Sequence, residues 1–434
     1  MMKHTLLLKL MGFSEKEIKI FSAGYTGDTA TFDKLKDSLH ISSYCMGTAA
    51  AGNKELVLQC LEKGATPNRG LKGAAMGGHM DIVQLMLDKG AYPGWGLRGA
   101  AMGGHMDIVQ LLLSKGANPY KGLEGAALGG HMEIVQLMLD KGATGYEMGL
   151  RYAARGGHMD IVQLMLSKGA NPDAGLEEAA EGGHVDIVQL MLSKGATGYE
   201  MGLRYAAEGG HMEIVQLMLD KGATGYYWGL KIAARGGHME IVQLLLSKGA
   251  NPDWGLRIAA KGGHIDIVRL LLSKGANPDK GLDVAARGGH MEIVQLLLSK
   301  GADPDKGLEV AARGGHMEIV QLLLSKGANP DKGLEVAAGG GHMEIVQLLL
   351  EKGADPDSGL FAAAEVGYME IVQLLLNKGA DPDKGLRGAA MGGHMDIVQL
   401  MLSKGATDLD SALQVAEFFG NTEFAELIRA AMKM

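Results

Sequence analysis

The stretch Gly307–Lys332 reads GLEVAARGGHMEIVQLLLSKGANPDK and decides the fold, because near-copies of it fill the chain from residue 70 to residue 406. Successive copies are 26 residues apart in most intervals and 27 in three. A fixed period in this range indicates stacked supersecondary units that each contact only their neighbours. The thirteen copies are marked at one position by His79, His105, His131, His158, His184, His211, His238, His264, His290, His316, His342, Tyr368 and His394.

Each copy is predicted to contain two helices, which we name A and B in chain order. In the B helix, Glu318, Gln321 and Ser325 lie three or four residues apart and form one polar stripe on an otherwise apolar surface. Gly327 follows, where a left-handed helix end is expected. The A helix is predicted to be the shorter one, over residues 308–313, ending at two glycines. One unit is therefore a helix, a glycine turn, a second helix and a short loop.

This pattern resembles the ankyrin repeat. The family unit is about 33 residues long and opens with T-P-L-H, whereas this unit is shorter and has Gly-Leu at that place, so the projecting β-turn finger is missing. The resemblance implies an all-α solenoid of about sixteen units, in an arc or superhelix, that acts as a binding scaffold. The matching residues are Ala311, Ala312, Gly315, His316, Glu318, Ile319, Val320, Leu323, Leu324, Gly327, Ala328 and Asn329.

The two ends of the chain are less regular than its centre. We expect an N-terminal capping helix within residues 14–21 and degenerate repeats in the rest of residues 1–69. Residues 70–406 hold the thirteen near-identical repeats, and residues 407–434 form a C-terminal capping repeat. Solenoids need such atypical end units, because the end faces would otherwise expose the core.

Composition excludes several classes of protein. A formal net charge of −8 argues against a bulk nucleic-acid binder. Two cysteines, Cys45 and Cys60, are too few for a disulfide framework and fit a reducing compartment. No apolar run approaches the roughly 18 to 20 residues of a membrane span. We therefore expect a cytoplasmic protein. Because similar ankyrin-rich proteins occur in intracellular bacteria and large viruses, delivery into a host cell cytosol is the alternative.

The aligned histidines suggest a metal array, but their spacing argues against it. The acidic residue two positions later points elsewhere on the helix, and neighbouring layers are about 10 Å apart, too far for two histidines to share an ion. We therefore predict hydrogen-bonding histidines and no metal. No nucleophile and base occur together outside the repeat pattern, so we predict neither an enzyme nor a cofactor.

Positions that differ between copies are available to a partner. Four positions vary most. They are the residue before Gly-Leu, the residue after it, the one four later, which shares a face of the A helix with it, and the residue next to the first member of that pair, which carries Tyr152 and Tyr205. Aromatic residues and arginines, the usual anchors of interfaces, concentrate there in the middle of the array. The predicted partner-binding residues are Trp228, Lys231, Arg235, Trp254, Arg257, Lys261, Tyr226, Tyr227, Arg204, Tyr205, Arg151, Tyr152 and Arg155.

The sequence thus predicts a non-catalytic scaffold that binds a protein, with an acidic or phosphorylated segment as the suitable partner. A nucleic acid or anionic glycan at the same residues is one alternative. A spacer or self-assembling array is another, through exposed apolar residues at Met76, Met102, Leu128 and Met391. The tryptophans could instead fill gaps beside the one-residue loop insertions, with the basic residues paired to Glu177, Glu181 and Glu208. The oligomeric state stays open.

Overall fold

The computed structural model describes residues 14–432, and within them the backbone forms 32 helices and no strand. The helices follow one another as sixteen pairs, an A helix and then a B helix. This confirms the predicted all-α stack of about sixteen helix-turn-helix units. In the same described part, no helix is both long enough and apolar enough to cross a bilayer.

The chain divides into two compact units, of which the first ends at Gly225 and the second begins at Tyr226. The first unit contains α1 Glu15–Thr26, α2 Thr29–Lys34, α3 Ser38–Ala50, α4 Lys54–Glu62, α5 Pro67–Gly77, α6 Met80–Asp88, α7 Gly94–Gly103, α8 Met106–Ser114, α9 Pro119–Gly129, α10 Met132–Asp140, α11 Tyr146–Gly156, α12 Met159–Ser167, α13 Pro172–Gly182, α14 Val185–Ser193, α15 Tyr199–Gly209 and α16 Met212–Asp220.

The second unit continues the same alternation of A and B helices. It contains α17 Tyr226–Gly236, α18 Met239–Ser247, α19 Asp253–Gly262, α20 Ile265–Ser273, α21 Asp279–Arg287, α22 Met291–Ser299, α23 Asp305–Arg313, α24 Met317–Ser325, α25 Asp331–Gly339, α26 Met343–Glu351, α27 Asp357–Val366, α28 Met369–Asn377, α29 Pro382–Gly392, α30 Met395–Ser403, α31 Leu409–Phe418 and α32 Thr422–Ala431.

The core of each layer comes from six residue positions. In α23 and α24 these are Leu308, Ala311 and Ala312, then Ile319, Val320 and Leu323, all at most 2% exposed. The alanines let each A helix pack closely against its own B helix and against the A helices of neighbouring pairs. The predicted polar stripe of the B helix is exposed, as expected.

The A helix is not the shorter one, so that prediction was wrong. Helices α23 and α24 have nine residues each, and several A helices, such as α13, have eleven. The A helix begins earlier than predicted because proline is tolerated in the first turn, where its missing N–H would have no partner. The side chain of Asn171 accepts the backbone N–H of Asp173 at 3.0 Å and caps this start.

The apolar side chains expected on the surface near the N-terminal end are buried, which overturns that prediction. Met76, Met102 and Leu128 are 2%, 1% and 3% exposed and belong to one core cluster. Each follows a glycine by three residues, and that glycine brings successive A helices into backbone contact. A Cβ placed on Gly73, for example, would lie 2.1 Å from the carbonyl oxygen of Met46.

Histidine side chains connect successive layers just beyond the end of the A helix. His316 Nε2 lies 3.0 Å from the carbonyl oxygen of Arg287 in the preceding repeat, and the same bond recurs along both units. Because a carbonyl can only accept, Nε2 must carry the proton. The predicted hydrogen-bonding role of the histidines is therefore confirmed.

Carboxylates connect successive layers at the start of the A helix. Asp305 Oδ1 accepts the backbone N–H of Asn329, 24 residues later, at 2.7 Å. We call this series of bonds the carboxylate ladder. Within the described residues it is absent at Gly94, Tyr120, Glu147 and Tyr227. In the second unit it runs without interruption through Asp253, Asp279, Asp305, Asp331, Asp357 and Asp383.

Candidate protein-binding site

The thirteen predicted partner-binding residues are divided between the two compact units. The second unit holds the eight from Tyr226 to Lys261, and the first unit holds the other five. The structure brings the eight together on two consecutive A helices, α17 and α19.

Three aromatic rings of the second unit form a cluster, which we call the aromatic patch: Tyr227, Trp228 and Trp254. The Tyr227 ring meets the Trp228 ring edge to face, with centroids 5.0 Å apart, and the Trp254 ring in the same way at 5.1 Å. Such T-shaped pairs are favourable beyond the area that they bury. Tyr227 therefore joins one repeat to the next through ring contacts.

The patch is open to solvent. Trp228 is 53% exposed, Tyr227 38% and Trp254 36%, while Tyr226 is half-buried. A ring that filled a gap between layers would be largely enclosed, so this exposure disfavours the packing interpretation of the two tryptophans. Large exposed aromatic side chains in one place are typical of an interaction surface.

The local sequence explains why the rings gather at this point. Tyr227 occupies the position at which other repeats have the ladder carboxylate, such as Asp253. With no carboxylate there, the described residues show no ladder bond, and the ring packs on Trp254 instead.

Four cationic side chains lie on the same two A helices as the patch. Lys231 Nζ lies 4.8 and 5.0 Å from the ring centres of Tyr227 and Trp228, and it donates a hydrogen bond to Tyr227 Oη at 3.0 Å. Arg257 pairs with Asp283 at 2.9 Å. Arg235 and Lys261 are exposed and form no ion pair with any residue between 14 and 432. The patch therefore carries an excess of positive charge.

The arginines of the first unit lie in a different environment. Arg155 pairs with Glu181 at 2.7 Å, and both Arg155 and Arg151 lie within 3.6 Å of Glu178. Burial raises the pKa of the Glu178 carboxyl above its usual range, against the opposing effect of Arg155 and Arg151. Arg151 also approaches Glu177 at 3.7 Å. The charges of Arg151 and Arg155 are therefore offset by glutamates of the same protein. The alternative interpretation, in which basic residues pair with glutamates, predicts such pairs.

The other three predicted residues of the first unit, Tyr152, Arg204 and Tyr205, differ in exposure. Tyr152 is half-buried and packs against the core cluster, with the Arg98 guanidinium 4.9 Å from its ring centre. Arg204 is exposed and Tyr205 half-buried. Among the thirteen predicted residues, those of the second unit therefore form an open aromatic and cationic surface, and those of the first unit do not.

Sequence reasoning missed three residues of functional interest. Glu178 compensates the two arginines, and its signal was a carboxylate at a position where most other copies have Gly, Ile or Val. Lys72 and Tyr92 line a cavity in the first unit. The signal for that cavity was Tyr92-Pro93-Gly94, where most copies have Asn-Pro-Asp or Asp-Pro-Asp. Among residues 14–432, no His, Cys, Asp and Glu side chains group as metal ligands would.

The stacked helix pairs define a repeat scaffold of the ankyrin class. The family model for ankyrin repeats, in blocks of three copies, matches residues 97–175, 123–200, 176–255, 230–308, 282–359 and 308–385. The chain therefore belongs to the ankyrin repeat family. Members of this family are generally protein-interaction scaffolds and are typically non-catalytic.

One solved structure that resembles this chain is the crystal structure of the human ASB11 ankyrin repeat domain. It is 26% identical, covers 41% of this chain and 98% of its own, and superimposes with a TM-score of 0.35. No curated protein matches the chain.

Proposed function

We propose that this protein is a non-catalytic scaffold that binds another protein through the A-helix surface around the aromatic patch. The observation that supports this is the exposed contact of Tyr227 with Trp228 and Trp254, on two A helices that also carry exposed cationic side chains. Rings held in one orientation lose little conformational freedom on binding, which is why aromatic anchors dominate many interfaces.

The cations indicate what kind of segment binds. Arg235 and Lys261 are exposed without an ion pair in the described residues, whereas Arg257 pairs with Asp283. An acidic or phosphorylated segment would form charge-assisted hydrogen bonds with them while its apolar residues covered the rings. The proposed partner is thus a protein segment that carries both anionic and apolar residues.

The two alternative functions have less support. Met76, Met102 and Leu128 are buried, so these side chains are not available for end-to-end self-assembly. A nucleic acid would be held mainly by its phosphates, and its affinity would fall steeply as salt increases. The aromatic patch supports a protein partner, because exposed aromatic rings that lie together are typical anchors of protein interfaces.

Replacing both tryptophans tests the patch directly. We expect Trp228→Ala with Trp254→Ala to abolish partner binding, a loss of at least about 2 kcal/mol, as for other hot-spot aromatics. Thermal unfolding should change little, since both rings are exposed. Circular dichroism measures the thermal unfolding of the double variant and of wild type for this comparison. A large loss of stability would show that the rings are packing residues.

Affinity capture from a lysate, read by mass spectrometry, then identifies the partner. The test variant changes Lys231, Arg235, Arg257 and Lys261 to Glu. The matched control reverses the same number of charges at Lys274, Lys300, Lys326 and Lys352, which end B helices. We expect at least one protein to be retained by wild type and control and lost from the test variant. Identical capture by all three would refute the patch as the binding site.

A further inference from the structure

A cavity of about 310 Å³ opens beside three consecutive A helices of the first unit. Its lining comes mainly from α7, from the loop before that helix and from the start of α9: Tyr92, Gly94, Trp95, Arg98, Asn118 and Lys121. Lys72 of α5 completes the lining and has interactions within the chain. None of these residues takes part in the proposed function above.

The carboxylate ladder has a gap at this cavity. In the repeat of Asp305, Oδ1 accepts the backbone N–H of Asn329 at 2.7 Å. Gly94 and Asn118 are the equivalent pair, also 24 residues apart. Because glycine has no side chain, no residue between 14 and 432 accepts the backbone N–H of Asn118. The cavity therefore includes the space of a missing ladder side chain, beside a donor that has no partner in the described chain.

The other gaps of the ladder are not empty. The ring of Tyr120 lies against the following loop, where a Cβ on Gly145 would be 2.2 Å from it. The ring of Tyr227 packs on Trp254, and Glu147 carries a carboxylate of its own. Of these four positions, only Gly94 has no side chain that could stand beside the unpaired N–H.

Two exposed rings and a further donor border the gap. Tyr92 is 60% exposed and Trp95 50% exposed. The backbone N–H of Tyr92 donates to Asn68 Oδ1 at 2.8 Å, so the ladder fixes the main chain that carries this ring. Arg98 Nε is buried without a hydrogen-bond partner, and it lies 3.6 Å from Glu124 Oε2, too far for a bond. The cavity therefore offers apolar rings together with unused donors.

We propose that this cavity binds an acidic side chain of a partner protein, whose carboxylate accepts the Asn118 N–H in place of the missing ladder residue. The adjoining apolar residue of the partner packs on Tyr92 and Trp95, since exposed aromatic rings are typical interface anchors. The proposal rests on the proposed function only in taking a protein as the partner, because it concerns a different surface.

The second unit shows that a carboxylate suits this N–H. In six consecutive repeats there, an aspartate oxygen lies 2.6–2.8 Å from the equivalent backbone nitrogen. A hydrogen bond to an ionised acceptor is shorter and stronger than one between neutral groups. A partner carboxylate would thus form, between two chains, the bond that the other repeats form within one.

Gly94→Asp tests the gap without any partner, because it supplies the carboxylate from the chain itself. The new Cβ would lie 2.7 Å from the exposed Tyr92 ring, which can turn away. In protein labelled with 15N-asparagine, we expect the Asn118 amide proton to move downfield and to exchange more slowly with solvent. Gly94→Ala is the matched control, since it adds the Cβ without an acceptor and should produce neither change. An Asn118 amide that is unaffected by Gly94→Asp would overturn the proposal.

Fluorescence of Trp95 measures binding. The chain has three tryptophans, so Trp228→Phe with Trp254→Phe in the full chain leaves Trp95 as the only one. The probes are acetyl-Gly-Asp-Leu-Gly-amide, the same peptide with alanine or phosphoserine in place of the aspartate, and the same peptide with glycine in place of the leucine. We expect saturable binding of the first peptide, at least about tenfold tighter than of each other probe.

Two further variants in this background locate the binding. Gly94→Asp should weaken the first peptide by at least about tenfold, because the new side chain occupies its place. Lys231→Glu with Arg235→Glu, beside the aromatic patch, should change nothing, so failure of one surface is distinguished from failure of the other. No saturable binding, equal or tighter binding of any other probe, or undiminished affinity in Gly94→Asp would each overturn the proposal, whatever the aromatic patch binds.

Discussion

One position of the repeat has two roles along this chain. It is the position directly after the loop proline, or the equivalent position in repeats that lack this proline. As Asp305 it accepts a backbone N–H of the next repeat. As Gly94 or Tyr227 it forms no such bond among the described residues, and the tryptophan beside it is exposed. The aromatic patch thus lies where one stabilising hydrogen bond, worth about 1 kcal/mol, is absent. If the patch binds a partner as proposed, binding and stability compete for the same position.

The ladder should make stability depend on pH. Burial raises the pKa of Asp383, but hydrogen bonds from the backbone N–H groups of Asp408 and Thr407 outweigh this and hold it below the usual 3.8. A lowered carboxyl pKa stabilises the fold above about pH 4, and this stabilisation is lost as the pH falls through the folded-state pKa. We expect Asp383→Ala to cost about 1 kcal/mol near neutral pH.

Urea unfolding of wild type and Asp383→Ala at several pH values measures the difference in their free energies of unfolding. The difference in unfolding free energy between wild type and Asp383→Ala should shrink as the pH falls from about 4 through the lowered pKa of the wild-type carboxyl, where that carboxyl also becomes protonated. A cost that stayed constant in acid would show that the substitution acts by removing packing and not by removing a charged acceptor.

The two thiols should be inert in the folded protein. Cys45 and Cys60 are both 0% exposed, and a hydrogen bond with Cys60 together with burial raises the pKa of the Cys45 thiol. Reaction requires an accessible thiolate. We expect a thiol reagent to label neither cysteine in native protein at mildly alkaline pH and both in denaturant, as read by mass spectrometry. Rapid labelling without denaturant would contradict the buried placement.

The A helices differ in how closely they approach one another, and glycine sets that distance. At Gly125 a Cβ would lie 2.2 Å from the carbonyl oxygen of Arg98. The corresponding residue in α23 is Val310, which is only 8% exposed and packs without conflict. We therefore expect Gly125→Val, although it introduces the residue used in other copies, to destabilise the protein by about 1–3 kcal/mol through overpacking.

Gly339→Ala is the control for this substitution. Gly339 also lies in an A helix, but the nearest atom to its Cβ would be the Ala362 methyl group at 3.3 Å. Alanine there should be neutral or stabilising by up to about 1 kcal/mol, because it favours the helix. Equal costs of the two substitutions in chemical unfolding would show that close helix approach is not the cause.

Much of each element could be predicted from its sequence. The apolar positions and the polar stripe of the B helix follow from a period of 3.6 residues. The start of the A helix did not follow, because proline was interpreted as a loop residue and not as the first turn of a helix. The burial of Met76 depends on Gly73 meeting a carbonyl group of another repeat, a contact that local periodicity does not reveal.

At the scale of the whole chain, removal of one repeat should be tolerated. Deleting residues 307–332 joins Lys306 to Gly333 and restores the same Lys-Gly-Leu-Glu-Val sequence. Because each layer contacts only its neighbours, we expect unchanged helix content per residue and a slightly lower unfolding midpoint by circular dichroism. Deleting residues 307–319 should instead disrupt the stack, since half a unit destroys the period. Similar spectra for both deletions would contradict a layered core.

The candidate sites could be predicted only in part. The variable positions pointed to Trp228 and Trp254, and the structure shows these rings exposed and in contact with Tyr227. The same reasoning grouped them with Arg151 and Arg155, which are held by Glu178. Whether a basic side chain is compensated depends on residues one repeat away, so a single copy of the sequence cannot indicate it.

The bonds between layers also have a mechanical consequence. The ladder connects residues 24 apart and the histidines connect residues 29 or 30 apart, so each bond joins a helix pair only to its neighbour. When such a chain is pulled from its ends, the rupture of one layer releases the length of a single unit, about 90 Å of extended backbone. Under load, the end-to-end length of the chain should therefore increase in equal steps, one step for each helix pair that unfolds.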